Sequence, residues 1–248
     1  MIRELRLFLV AVQFLTRLPV PALKNFTPEW ITASARYYPL VGQVVGALSG
    51  LVLMFTARAW GGAVPAVLAV TMGILVTGAF HEDGLADSAD GLGGGRDKTQ
   101  RLAIMKDSRI GTYGALALLL AVALKVAALS QVSTALLLIA GHGAARGAAV
   151  IAMAALPYAG DPDAAKYKPV PQGVGIGSVI IAGLFAAWPF VAFPMPHMIP
   201  ALACGAVLAL IMALAARRLI GGVTGDVLGA IEQMFEIGFF LGAAAQWS

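Results

Sequence analysis

The sequence predicts an all-α, polytopic integral membrane protein of about seven transmembrane helices, preceded by an N-terminal amphipathic helix. Three observations carry this. Of 248 residues, 59% are hydrophobic and only 12% are charged, against ~45–50% and ~25% in soluble domains. Mean hydropathy is +0.84. Apolar runs of about 18–23 residues, each long enough to cross a bilayer, recur along the chain. Together they exclude a disordered chain, a nucleic-acid-coating protein and an ordinary soluble enzyme. With 17 basic and 13 acidic residues, the basic side chains report topology rather than an affinity for nucleic acid. A lone Cys204 excludes a disulfide within the chain and a cysteine metal site. One membrane domain is expected over residues 1–248.

The first element reads MIRELRLFLVAVQFLTRLP. Leu5, Phe8, Leu9, Val12 and Leu15 recur at helical spacing, with Arg6, Gln13 and Arg17 opposite. That pattern suits a helix lying in the membrane interface better than a cleaved leader. Seven candidate spans follow at 38–58, 62–80, 112–130, 134–156, 174–194, 198–216 and 226–246.

With seven spans, four basic segments share one side: Arg3, Arg6, Arg17 and Lys24; Arg96 to Arg109; Lys166 and Lys168; and Arg217 with Arg218. The opposite loops hold only Arg58. The positive-inside rule then places the N-terminus and these loops in the cytoplasm.

Residues 81–111 concentrate the charge, with six of the thirteen acids and five of the seventeen bases. Asp83, Asp87 and Asp90 stand at i, i+4 and i+7, which share one helix face. Stacked carboxylates repel unless a cation lies between them, and hard oxygen donors suit Mg²⁺ with a substrate phosphate completing its shell. Glu82 is rotated about 100° from Asp83 and is set aside as a ligand. A solvated acidic helix end is the bland alternative. Gly91 to Arg96 (GLGGGR) offers backbone N–H groups that could approach an anion, with Gly94 and Arg96 as substrate contacts. It is neither a Walker loop nor a dinucleotide fingerprint.

Lys106 and Arg109 are i, i+3 neighbours that could hold phosphate oxygens, or could merely anchor the chain at the membrane. Asp107 is a candidate fourth metal ligand or a helix cap. In the fourth span, Arg146 would lie about 15 Å deep. It is read either as a substrate-phosphate contact or as an ion pair with Glu232 or Glu236. His142, one turn away, reads as a packing or hydrogen-bonding residue. Thr224 or Asp226 can cap the last helix, whose N-terminus favours anions. Lys125 reads as a snorkelling surface residue, and Arg36 lies at the cytoplasmic mouth.

These residues resemble one family. His81-Glu82-Asp83-Gly84-Leu85-Ala86-Asp87-Ser88-Ala89-Asp90-Gly91 is similar to the signature of the cobalamin synthases, the adenosylcobinamide-GDP ribazoletransferases. Met105 to Gly111 (MKDSRIG), Phe14 to Pro21, Tyr38 to Gly42 and Thr224 to Ala230 extend the match. The resemblance implies a Mg²⁺-dependent inner-membrane transferase. It would join adenosylcobinamide-GDP to α-ribazole or its 5′-phosphate, releasing GMP.

On that pattern Asp83, Asp87 and Asp90 hold Mg²⁺, with Asp107 or Asp226 completing the site. Asp90 is the nominated proton acceptor, Lys106, Arg109 and Arg146 stabilise phosphates, and His81 orients a carboxylate. The expected partners are the corrinoid nucleotide, the ribazole and the bilayer, with no nucleic acid; a homo-oligomer is left open. One departure is Gly160, where an arginine is expected after Pro157-Tyr158-Ala159, leaving Lys166 or Lys168 to supply that charge. A CDP-alcohol phosphotransferase is the rival enzyme, but Asp87 stands where its motif needs arginine. A divalent-cation transporter, using Glu232 and Glu236, is the rival of another class.

Overall fold

The computed structural model describes residues 2–23, 26–132, 134–160, 173–192 and 195–246. Lys24, Lys166 and Lys168 lie outside these described residues. The described chain is helical: α1 Ile2–Leu15, α2 Glu29–Ser34, α3 Tyr38–Thr56, α4 Val64–Thr77, α5 Phe80–Gly94, α6 Lys98–Met105, α7 Thr112–Gln131, α8 Ala135–Ala155, α9 Ile176–Ala187, α10 Met195–Ile220 and α11 Gly225–Ala244. A single parallel bridge, Tyr158 to Val223, is the β pairing seen among these residues.

Five helices are long and apolar enough to cross a membrane, ending at Thr56, Gln131, Ala155, Ile220 and Ala244. Among the described residues two of the seven expected runs are not single long helices. The run at 62–80 stops as α4 after 14 residues, about 21 Å of helix, short of a ~30 Å hydrocarbon core. The chain then turns 90° into α5, and the bent pair makes at most a sixth crossing. The run at 174–194 contains only the 12-residue α9 and a short 3₁₀ turn, Trp188–Val191. Hydropathy sums composition over a window and does not register where the backbone turns.

The turn has a local cause. Gly78 caps α4 in the left-handed region at φ 66°, and Ala79 follows at φ 59°. For alanine that conformation costs about 1 kcal/mol, so packing must hold it. Arg17 does so: its backbone N–H donates to Val76 O at 2.7 Å, and its side chain fills the space over Gly78.

α8 and α11 are central, each 78% buried over its apolar window, while α10 is 17% buried and offers Val207, Leu210, Ile211 and Leu214 outward. Lipid is as apolar as leucine, so helices associate in a membrane through close packing at small residues. Gly42, Gly46 and Gly50 of α3 line up against the backbone of α8 at His142, Leu138 and Ala135. Gly238 and Gly242 of α11 do the same against Cys204 and Pro200 of α10.

α1 docks on this bundle through Leu7, Val10, Ala11, Val12 and Leu15. Its buried face is therefore turned from the expected one, and Leu5 is 60% exposed. Glu4 ties α1 to the start of α3, accepting from Tyr37 Oη at 2.8 Å and lying 3.6 Å from Arg36.

Two of the basic segments meet at one end, where α6 approaches the turn after Arg217 and Arg218. Lys98 Nζ lies beside Gly221, and the Tyr158–Val223 bridge joins the end of α8 to the start of α11.

A methyl group on Gly46 would meet Leu138 C at 2.7 Å and Ile139 Cα at 2.8 Å. Gly46→Ala is expected to push α3 from α8 at a cost of about 1–3 kcal/mol, seen as a lower thermal-unfolding midpoint in detergent. An unchanged midpoint would show that the two helices do not depend on this approach.

Candidate active site

The acidic segment folds as expected into one helix, α5, running from the middle of the bundle to its basic end. Gly84 lets α5 approach the start of α11: a methyl group there would meet Asp226 O at 2.7 Å. Gly229 returns the contact against the backbone of His81 at 3.3 Å. The turn carrying Asp83 and Asp87 is thereby set against Asp226. Asp83 is exposed, and Asp87 and Asp226 are half-buried.

Asp90 is used differently from its neighbours. It is buried, and its carboxylate accepts the backbone N–H of Gly111 at 2.7 Å and of Gly114 at 2.8 Å. A carboxylate beside a helix N-terminus is favoured by the free amides and the helix dipole. Asp90 therefore fastens the start of α7 to α5.

Gly91 to Gly94 form the last turn of α5 rather than a loop, with Gly95 N–H donating to Gly91 O at 3.1 Å. Their amides serve the helix and cannot cradle an anion. These glycines instead admit close neighbours: Met105 and the Arg101 carbonyl against Gly91, and the Tyr113 ring against Gly93. Gly94 is exposed with Ile104 nearby. Arg96 is exposed and donates its backbone N–H to Gln100 Oε1 at 2.8 Å. Asp97 caps α6, and Arg101 donates to Leu92 O.

Asp107 and Arg109 pair with each other. Arg109 donates from Nη2 at 2.7 Å and from Nε at 3.1 Å, and its backbone N–H donates at 3.0 Å. These bonds hold the Asp107 carboxyl down to about 2, so it is ionised at any neutral pH. The pair is exposed, as is Lys106. Among the described residues, Asp83, Asp87, Asp90 and Asp107 are not drawn together into a ready-made ligand group.

Below the acidic face lies a buried ionic network. Arg146 Nη1 is 2.8 Å from Glu232 Oε1 and 3.5 Å from Glu236 Oε1. His81 Nε2 is 2.6 Å from Glu232 Oε2, and His142 Nδ1 is 2.5 Å from Glu236 Oε1. Lys125 Nζ donates to Gln233 Oε1 at 2.6 Å and to Glu236 Oε2 at 3.0 Å, and lies 3.8 Å from Glu82.

Of the two readings of Arg146, the structure takes the ion pair: the side chain is 2% exposed and committed to Glu232. This corrects its assignment as a phosphate contact, because withdrawing it would leave a buried carboxylate uncompensated. Lys125 is likewise no snorkelling residue but 4% exposed and inward. His142 does make the expected hydrogen bond, and His81 does rest on a carboxylate.

His142, Glu232 and Glu236 have ligand atoms within 4.8 Å of one another, the one such group among the described residues. Arg146 and Lys125 already supply positive charge there, so the cluster reads as an ion-pair network. The sequence signal for it was the i, i+4 spacing of Glu232 with Glu236 and of His142 with Arg146 inside apolar runs. Sequence reasoning missed Lys125 and Gln233 because partner choice depends on how α7 faces α11.

A polytopic helical bundle with its charge held in one internal network and one acidic and basic end is built as an integral membrane enzyme. The sequence matches the model of the cobalamin-5-phosphate synthase family over residues 7–244. The chain belongs to that family and is a transferase of cobalamin biosynthesis. Among curated proteins it is 44% identical to the adenosylcobinamide-GDP ribazoletransferase of Leptothrix cholodnii, over 98% of this chain and 96% of the relative. It is 41% identical to the enzyme of that name from Ralstonia nicotianae, over 92% and 90%. It is 38% identical to that of Shewanella amazonensis, over 99% and 97%. No solved structure matches the chain significantly.

Arg146→Met leaves Glu232 buried without its cation, and is expected to cost about 3–5 kcal/mol. Adding Glu232→Met should recover much of that stability, since no charge is then stranded. Unfolding midpoints of the single and double variants test this; a neutral single variant would remove Arg146 from the framework. Asp90→Ala should cost about 1–3 kcal/mol by stranding two amides, read as faster hydrogen exchange at the start of α7.

Proposed function

We propose that the protein joins adenosylcobinamide-GDP to α-ribazole or its 5′-phosphate, giving adenosylcobalamin or its 5′-phosphate and GMP. The observation that carries this reading is the close approach of α5, which bears Asp83 and Asp87, to the start of α11 at Asp226, where Gly84 faces the Asp226 backbone. Carboxylates are hard oxygen donors of the kind that suits Mg²⁺ bound to a diphosphate, and these two elements could supply them at the mouth of a helix N-terminus. The names of the relatives support the substrates.

In the proposed reaction a ribazole hydroxyl attacks the phosphorus attached to cobinamide. The bond from that phosphorus to the GMP oxygen breaks, and GMP leaves. Asp83, Asp87 and Asp226 would hold the Mg²⁺, which neutralises phosphate oxygens when bound. One of these carboxylates takes the hydroxyl proton. Asp90 acts by positioning: its two amide bonds keep α5 aligned with α7. Exposed Lys106, Arg109 and Arg96 at the same end supply charge for the nucleotide phosphates as it arrives. Tight pairing of Arg109 with Asp107 means that any phosphate contact by Arg109 comes by partner exchange.

The active end is proposed to face the cytoplasm of the inner membrane. The support is the sequence distribution of lysine and arginine, with the loops on the other side of a seven-span chain holding only Arg58. A transporter using Glu232 and Glu236 is disfavoured by their burial and by the cations already bound to them.

Purified protein in liposomes, given adenosylcobinamide-GDP, α-ribazole and Mg²⁺, is expected to release GMP and the cobalamin product. Asp83→Asn and Asp87→Asn should each lower turnover at least about 100-fold, and chelation should abolish it. Folded wild-type protein without turnover would overturn the reading. Assays with CDP-alcohol acceptors and metal flux would then follow.

A further inference from the structure

The first helix keeps a surface that the reaction does not use. α1 is tied at both ends to one side of the bundle. Near its start Glu4 accepts from Tyr37, just before α3, and just past its end the Arg17 N–H donates to Val76 O, near the end of α4. α3 and α4 pack together and are joined by a short connection, so the start of one and the end of the other lie on the same side. α1, about 21 Å long, therefore lies along that side instead of crossing the bundle.

One face of α1 carries Arg3, Arg6, Val10, Gln13 and Phe14, at i, i+3, i+7, i+10 and i+11. Val10, Gln13 and Phe14 form one wall of an open groove of about 410 Å³, faced by Leu23, Phe26 and Ile31. Apart from Gln13 its lining is apolar. Phe26 meets the Trp30 ring edge-on, with centroids 6.3 Å apart. Arg3 and Arg6 continue the same face beyond the groove; both are exposed, and neither is ion-paired among the described residues. The acids of this region are engaged elsewhere. Glu4 turns to Tyr37 and Arg36 on the opposite side of α1, and Glu29 of α2 is hydrogen-bonded to Thr27. Ile2 and Leu5 leave an exposed apolar strip beside the arginines.

We propose that the groove holds an acyl chain of an anionic glycerophospholipid, whose phosphate pairs with Arg3 and Arg6. A helix lying in the membrane interface meets headgroups at its polar edge and acyl chains at its apolar one. Arginine is suited to bidentate contact with phosphate, and a tryptophan such as Trp30 favours headgroup level. A negatively charged leaflet supplies the ligand. A free phosphate would leave the groove uncovered, and an apolar peptide would leave the arginines unpaired; an acidic lipid answers both.

The test is lipid binding to the full-length protein in detergent, read by native mass spectrometry. Phosphatidylglycerol forms one arm and phosphatidylcholine with the same chains the other. Phosphatidylglycerol is expected to bind wild type more tightly. Each arginine near an anionic headgroup contributes about 5-fold. Arg3→Gln combined with Arg6→Gln should therefore weaken phosphatidylglycerol about 30-fold, with phosphatidylcholine little changed. Ala22→Trp, which fills the groove, should weaken both lipids at least about 5-fold. Arg58→Gln, between α3 and α4, should change neither. Thermal unfolding checks that each variant folds, and Gln13→Trp in the same groove replaces Ala22→Trp if that variant does not.

Equal affinity of wild type for the two lipids would overturn the proposal, as would full phosphatidylglycerol binding by the arginine variant. Loss in the arginine variant with none in the groove variant would leave the lipid on the surface alone and overturn the groove. An equal loss in Arg58→Gln would mark a general charge effect and overturn the site as well.

Discussion

The fold depends on one interaction: the buried network in which Glu232 and Glu236 of α11 meet Arg146 and His142 of α8, Lys125 of α7 and His81 of α5. A charge stranded in an apolar interior is expensive. Each member can stay only while its partners hold position. Four helices are thereby fixed in rotation and height, a constraint that apolar packing in lipid does not provide. The network does not make the bundle stable relative to an apolar core. It selects one arrangement, because other rotations of α7, α8 or α11 would leave a charge alone.

His81 links this constraint to the acidic face. It stands two residues past the Gly78–Ala79 corner between α4 and α5, and two residues before Asp83. Ala79 holds a strained left-handed conformation at that corner, and Arg17, two residues past the end of α1, clasps it. With His81 held on Glu232, and Gly84 and Gly229 allowing close approach, the turn of Asp83 and Asp87 arrives against Asp226. Small residues thus set the distance between elements, and buried charges set their register.

Much of the site was legible in the sequence, for definite reasons. Aspartates at i, i+4 and i+7 share a helix face wherever the helix lies, so their grouping on α5 needed no tertiary information. Charges within apolar runs are costly in any fold, so Arg146, Glu232 and Glu236 were marked as paired or functional. The division of labour was not legible. Asp83 and Asp90 belong to the same stripe, yet one is exposed and the other caps α7. That depends on Gly111 and Gly114 arriving from a separate element. GLGGGR has the composition of a loop, yet its first four residues are helix, with Met105, Arg101 and Tyr113 packed against the glycines.

By itself the sequence determined the membrane class, the helical content, the concentration of charge in 81–111 and the family motif. These follow from composition and from spacings within one element. The tertiary structure decided where the apolar runs break, which face of α1 is buried, which cation serves which carboxylate, and which aspartate caps α7. Each of these depends on distances between residues far apart in the chain, such as Lys125 to Gln233 or Arg146 to Glu232. Helix rotation and backbone turns set those distances, and neither is encoded in a local pattern.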